Sequence, residues 1–353
     1  MPRKGETRPK VPVGDVRDPD SLYNYLLRFN AWQAEKNYSP ETIEHREVAL
    51  RTFIAWAADR GLIRPHEITK PILERYQRHL FLRRKKDGEP LSARSQVAFT
   101  TPIRAYFKWL ARANHILYNP ASELEMPRQE RRLPKHILTI AEVEAVLAVP
   151  DLKTPIGIRD RAILETLYST GMRRMELIHL KLFDIDGERG TVMIRQGKGR
   201  KDRMIPIGAR ALAWIAKYRD DVRPELAIGA DDGTLFLTTL GDTFAPNRLT
   251  QLVRDYVDAA GTGKRGACHL FRHTMATLML EGGADIRFIQ AMLGHAELST
   301  TQIYTQVSIR TLKQIHAATH PGRPIAAAKQ TVPAGDIDAL LDVLDREAEE
   351  EDG

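Results

Sequence analysis

The sequence predicts a mainly α protein of two domains, the second carrying a small antiparallel β-sheet. Three observations point that way. Apolar residues recur at helical spacing along most of the 353-residue chain. One stretch, TVMIRQGKGRKDRMIPIG, reads instead as two short strands, Thr191–Arg195 and Arg203–Ile207, joined by a turn that presents Lys198, Arg200 and Lys201. Between two helical blocks lies a charged, proline-bearing segment, NPASELEMPRQERRL, from Asn119 to Leu133. An apolar content of 42% is enough to fill two ordinary cores.

Residues 1–18 hold Arg3, Lys4, Arg8 and Lys10 among prolines and glycines and read as a disordered basic lead-in. The first domain, residues 19–117, opens with Leu22, Tyr25, Leu26, Phe29 and Trp32 on one face of an amphipathic helix. Ser39-Pro40 starts the second helix, with serine as N-cap and proline at the first helical position. Its apolar face is Ile43, Leu50, Phe53, Ile54 and Ala57, and Gly61 ends it. A third helix from about Lys70 to Arg84 runs into the basic cluster Arg83–Lys86 and the turn at Asp87-Gly88. Ser92 opens a fourth, carrying Val97, Ile103, Tyr106, Phe107, Trp109 and Leu110.

After a linker at 118–134, the second domain, residues 135–321, begins at a capping box, Thr139-x-x-Glu142, ahead of Val143, Val146 and Leu147. Helices are expected around Ile158–Tyr168 and, after a break at Thr170-Gly171, over Arg173–Leu182. The hairpin follows, then helices near Ala209–Tyr218 and Asn247–Ala259, with Thr234–Leu237 read as loop rather than strand. The stretch GACHLFRHTMATLMLEGGADIRFIQAMLGHAELSTTQIYTQVS comes next. Gly282-Gly283 stops one helix, Leu293-Gly294 ends another just before His295, and Ser299 with Gln302 would cap a third around Tyr304. Ile309–Ala318 is a further helix anchored by Leu312 and Ile315. Residues 322–353 read as a linker and an acidic amphipathic tail, with Ile337, Leu340, Leu341 and Leu344 on one face.

His269 and Arg272 are three apart and so share a helix face. Three helix ends would then bring two histidines, an arginine and a phenol together, an arrangement whose natural target is a phosphate. Upstream, the segment Leu167–Leu180 adds Arg173 and Glu176, and the hairpin turn adds Lys198. In this order, the TGMR arginine, the GKG lysine, His-x-x-Arg, Gly-His and the tyrosine resemble the tyrosine recombinase (phage integrase) family, most closely its Xer-like members. The resemblance runs over roughly Leu138 to Pro321.

The resemblance implies that Arg173 and Arg272 clamp a scissile phosphate and that Tyr304 is the nucleophile. It makes Lys198 the general acid, with Lys201 the second choice on the same turn, and His269 and His295 the two histidines of the site. Glu176 falls where the family carries an acidic support residue. Arg174 departs from the pattern of a small or apolar neighbour; about 100° round a helix from Arg173, it reads as a support or DNA-backbone residue. The first domain resembles the family's helical core-binding (SAM-like) domain, one half of a two-domain clamp around DNA. Its candidate phosphate contacts are Arg83, Arg84, Lys85, Lys86, Arg94 and Ser95, with Arg200 on the hairpin turn; such contacts position a protein without reading sequence.

The chemistry explains these residue types. A free tyrosine has a pKa of about 10, so little of it is phenolate at neutral pH. Two guanidiniums offer forked donors to the non-bridging oxygens and stabilise the charge that builds in the transition state. A histidine can take the phenolic proton and a lysine can protonate the leaving 5′-oxygen. The implied product is a 3′-phosphotyrosyl intermediate that retains the bond energy for rejoining, with no metal and no cofactor. The implied partner is double-stranded DNA with paired recombination sites, bound by a homo-tetramer or a hetero-tetramer with a partner recombinase.

Each motif also has a plainer reading. Arg173 and Glu176 alone would be a helix-surface ion pair, and the GKGRK turn a solvated hairpin tip. His269 and His273 are four apart with His295 downstream, but no carboxylate or cysteine stands at metal-ligand spacing, and Cys268 is the single cysteine. A type IB-like topoisomerase would share the phosphotyrosyl chemistry but rejoin the same strand, and the compact helical first domain favours a recombinase.

The formal charge is +7, yet the last twenty residues contribute −8, so the rest of the chain carries +15. That is the electrostatic footprint of a phosphate-backbone binder. One cysteine, no secretory n/h-region and no long apolar run predict a soluble protein of a reducing cytoplasm, with no membrane partner.

Overall fold

A computed structural model describes residues 11–85, 87–128, 136–197, 201–229, 231–294, 315–320 and 344, with backbone alone at 196, 197 and 201. The chain forms two compact units, Met1–Arg131 and Arg132–Gly353.

Among the described residues, the first unit contains four α-helices: α1 (Leu22–Glu35), α2 (Pro40–Ala58), α3 (Lys70–Leu82) and α4 (Ala93–Arg112). The caps lie where serine side chains can accept an otherwise unpaired N–H. Ser21, Ser39 and Ser92 accept from Asn24, Thr42 and Ser95 at 3.2, 3.2 and 3.1 Å. The expected apolar faces meet in one core of Leu26, Phe29, Leu50, Phe53, Ile54, Tyr106, Phe107 and Leu110. Within it the buried Tyr106 hydroxyl is satisfied, donating to the Leu22 carbonyl at 2.8 Å. The segment read as linker begins inside this unit, with Ala121 and Leu124 buried in the same core.

The second unit runs through α5 (Ile140–Ala148), α6 (Pro155–Thr170) and α7 (Arg174–Ile178) into strands β1 (Ile185–Asp186), β2 (Thr191–Gly197) and β3 (Lys201–Pro206). Helices α8 (Ala209–Asp221), α9 (Arg223–Leu226), α10 (Pro246–Ala259), α11 (Cys268–Glu281) and α12 (Ile286–Leu293) follow. The sheet is antiparallel in the order β1-β2-β3, with Val192 opposite Ile205 and Ile194 opposite Arg203. Its register shifts between Ile194 and Gly197, so the hairpin ends in an irregular step. Strands β2 and β3 each extend past the expected strands toward the turn. Strand β1 and helix α9 are too short for any periodicity to announce them.

Helix α6 is the axis of this unit, packed against α8 and α11 and buried over almost its whole second half. The Thr139–Glu142 capping box forms as expected, with Thr139 N–H donating to Glu142 at 2.6 Å and Glu142 N–H to Thr139 Oγ1 at 3.3 Å. Lys264, in the loop before α11, ties this cap down through Glu142 at 2.5 Å and the Ile137 carbonyl.

Residues 315–319 are helical. There His316 Nε2 reaches the Ser169 carbonyl at 2.9 Å and His320 Nε2 the Tyr168 carbonyl at 3.0 Å. A carbonyl can only accept, so both imidazoles carry their proton on Nε2. Leu344, from the acidic tail, is buried in an apolar cluster with Met275, Met279, Ile289 and Leu293, against which Ile315 packs. The expected helix around Tyr304, the start of the one at Ile309, the basic lead-in up to residue 10 and the rest of the tail lie outside the described residues.

Candidate active site

The end of α6, the start of α7, strand β3, the first half of α11 and the end of α12 are joined by one polar network. Gly171 creates the break between α6 and α7. Its φ of +59° is the left-handed region, and a Cβ there would overlap the Met275 methyl and stand 3.1 Å from Leu293 Cδ2. Arg173 follows as the N-cap of α7 with extended backbone, φ −71° and ψ 155°. It therefore does not ride on a helix beside Arg174, and the expected angle of about 100° between the two does not apply.

Glu176 sits one turn into α7 and reaches back. Its carboxylate accepts from the Arg173 N–H at 2.9 Å and from Arg173 Nη1 at 3.1 Å. Arg203 from β3 closes the other side with two parallel bonds, Nη1 to Oε1 and Nη2 to Oε2, both 2.7 Å. Burial favours the neutral acid, but the Arg203 hydrogen bonds and charge, with Arg173 and Arg272 behind them, hold this carboxyl below its ordinary pKa. Glu176 is thus an anion among three cations, and the surface ion-pair reading fails: the Arg173 and Glu176 side chains are 6% and 5% exposed.

Arg272 lies on α11, one turn beyond the half-buried His269, and is fully buried. Its Nη1 donates to the Gly171 carbonyl at 2.7 Å and its Nη2 to the Leu293 carbonyl at 3.0 Å. The two bonds fix the plane of the guanidinium against the ends of α6 and α12, where helix carbonyls have no intrahelical partner. Arg203 takes the neighbouring carbonyl, Met292, through Nε at 3.0 Å. Gly294 then leaves α12 with φ +68°, immediately before His295.

Arg173, Glu176, Arg272 and His269 are therefore placed on elements that meet, and Arg173 and Arg272 both act on Glu176. Arg174 is buried on the other side of α7, its Nη1 donating to Thr250 Oγ1 on α10 at 2.9 Å, which suits a support residue. Lys201 pairs through its backbone with Gly197. Lys198, Arg200, His295 and Tyr304 lie outside the described residues, as does Lys86 in the first unit. There, Arg83, Arg84 and Lys85 are exposed on the turn between α3 and α4. Arg94 is half-buried in the first turn of α4, where the Ser95 hydroxyl is engaged by Ser92 at 2.9 Å.

Sequence reasoning missed Arg203. A signal existed: Arg203 and Ile205 are two apart on a strand and so share its inward face. An arginine on that face needs a buried anion. Among the described residues, no group of three or more His, Cys, Asp or Glu could hold a metal ion, and no helix is long and apolar enough to cross a membrane.

Two buried arginines around one acid, on elements that meet in a mainly helical domain, form a site whose forked donors suit a phosphate. Residues 136–310 match the phage integrase family, and the chain belongs to it. Within that family it is a Xer-like tyrosine recombinase, an enzyme that cuts and rejoins DNA at specific sites. It is 51% identical over 350 residues to tyrosine recombinase XerC 2 of Ralstonia nicotianae, covering 98% of each chain. Its fold is similar to that of the XerH site-specific recombinase bound to a palindromic difH substrate in a post-cleavage complex. That match has a TM-score of 0.66 and 20% identity over 86% of this chain and 97% of the other. A lambda integrase tetramer bound to a Holliday junction matches with a TM-score of 0.58 and 18% identity, over 87% of this chain and 80% of the other.

Proposed function

We propose that Tyr304 attacks the scissile phosphate of double-stranded DNA while Arg173 and Arg272 hold its non-bridging oxygens. The P–O bond to the 5′-oxygen breaks as the 3′-phosphotyrosyl bond forms, His269 or His295 receives the phenolic proton, and Lys198 protonates the leaving oxygen. Attack by a 5′-hydroxyl of another strand reverses these steps and rejoins the DNA. Lys201 is the second choice of acid, and Glu176 supports the clamp.

The observation that carries this reading is the burial of Arg173 and Arg272 around Glu176 at the end of α12. One anion holds the cations in a fixed array without cancelling them, so their orientation is set before a phosphate arrives. Residues 19–117 act as the DNA-holding core-binding domain and 135–321 as the catalytic domain, with the exposed Arg83, Arg84 and Lys85, and Lys86, Arg94, Ser95, Arg174 and Arg200, as backbone contacts. The assembly is a tetramer on paired sites, of one chain or two, by analogy with the integrase tetramer on its junction. The working compartment is the cytoplasm, as a single cysteine fits.

The test is to express wild-type and Tyr304→Phe chains in cells, purify both under denaturing conditions and sequence any DNA that stays attached. DNA on wild type alone is expected and would also reveal the site. DNA on both would overturn Tyr304 as nucleophile.

A further inference from the structure

Arg203 makes more bonds at this site than any motif accounts for. Its three donor directions go to two elements: Nη1 and Nη2 to Glu176 on α7, Nε to the Met292 carbonyl at the end of α12. Its side chain is only 14% exposed. It lies on β3, five residues after Lys198 and opposite Ile194. A Cβ on Gly294 would stand 2.9 Å from its Nε and 3.0 Å from its Cδ and Cζ, so the residue before His295 packs directly beneath the guanidinium.

We propose that Arg203 is a positioning residue for strand cleavage: its guanidinium sets the Glu176 carboxylate and the C-terminal end of α12 in one register with β3. A guanidinium is planar and its donors are fixed relative to one another, so gripping two elements dictates their mutual orientation. Three consequences follow from the same plane. Glu176 is drawn toward Arg203 as much as toward Arg173, so it orients Arg173 without capturing it. The Met292 and Leu293 carbonyls are taken by Arg203 and Arg272 side by side, which fixes the last turn of α12. The strand that leaves the lysine turn is pinned to both. Arg203 touches no reacting atom and acts through Glu176 and α12.

The inference rests on the cleavage reading above, and its test separates the two. The probe is a nicked duplex carrying the site recovered from wild-type covalent complexes. Measured on it are the single-turnover rate of adduct formation at saturating protein, the dissociation constant and the melting temperature of the full chain. Arg203→Gln is expected to slow adduct formation by about 10- to 100-fold, the scale of a misaligned reacting geometry, with affinity within about threefold. Arg203→Lys, which keeps the charge but loses the fork, should recover only part of the rate.

If Arg203→Gln does not fold because Glu176 is left as a buried, half-paired anion, the neutral pair Glu176→Gln with Arg203→Gln replaces it. That pair should be as slow as Glu176→Gln alone, since one residue acts through the other. A wild-type rate in Arg203→Gln or Arg203→Lys, or a loss confined to melting temperature or affinity, would overturn the proposal. Tyr304→Phe runs alongside. Adduct formation there would overturn the cleavage reading, whereas its loss there with normal Arg203 variants removes only the present inference.

Discussion

Gly171 shows what a single residue contributes at this site. Its carbonyl accepts from Arg272 while its backbone turns left-handed between α6 and α7, with the Met275 methyl and Leu293 filling the space where a side chain would stand. Gly171→Ala therefore meets two penalties at once. The left-handed conformation costs about 1–2 kcal/mol for an L-residue, and overpacking typically adds about 1–3 kcal/mol. A loss of about 2–5 kcal/mol in urea unfolding of the second unit is expected. A change within about 0.5 kcal/mol, the ordinary range for a surface substitution, would mean that α6 and α7 relax apart freely. The glycine was legible as a helix break from the TGMR motif alone. Its place beneath Met275 was not, because that contact joins residues more than a hundred positions apart.

At the scale of elements, the caps and periodicities were the most legible features. Ser39-Pro40, Ser92 and Thr139-x-x-Glu142 stand where the chain starts its helices, since each cap is written within four residues. Long-range pairing was silent by comparison. Arg203 and Glu176 are 27 residues apart, and nothing local in KDRMIP says which acid its arginine meets. The docking of residues 315–320 on the end of α6 was equally invisible.

That docking has a pH dependence whose sign follows from burial. His316 and His320 stack with ring centres 4.7 Å apart, and both are buried. Burial lowers both pKa values, and that of His320, helped by His316 next to it, is pushed down to about 3. A released imidazole titrates near 6.5, so the released state binds protons that the docked state refuses. Docking is at full strength above about pH 6.5 and weakens as pH falls from there toward 3, by at most about 1.4 kcal/mol per pH unit for each histidine. Imidazole NMR should find both rings neutral and unshifted down to about pH 5, with release of the segment as the pH falls further. Ordinary titration near 6.5 with the segment still docked would contradict the buried geometry.

For the whole molecule, charge is the quantity that matters. The chain outside its last twenty residues carries +15, and Arg83, Arg84 and Lys85 stand exposed in the first unit. Binding that displaces counterions weakens linearly in log affinity against log salt, by about 0.9 per phosphate neutralised on B-DNA. Replacing those three residues by alanine should flatten the slope by up to about 3 while leaving the preference among sites unchanged. An unchanged slope would place the DNA elsewhere on that unit. Within the acidic tail, Leu344 is fully buried on the second unit.

The grip of Arg203 also bears on how this chain can change over generations. Positions 176, 203 and 294 share one guanidinium, so they do not drift independently. A lineage that shortens residue 203 strands the acid at 176 and at the same step relieves the crowding at 294, where the left-handed backbone still favours glycine. A lineage that changes 294 first meets the intact guanidinium and stalls.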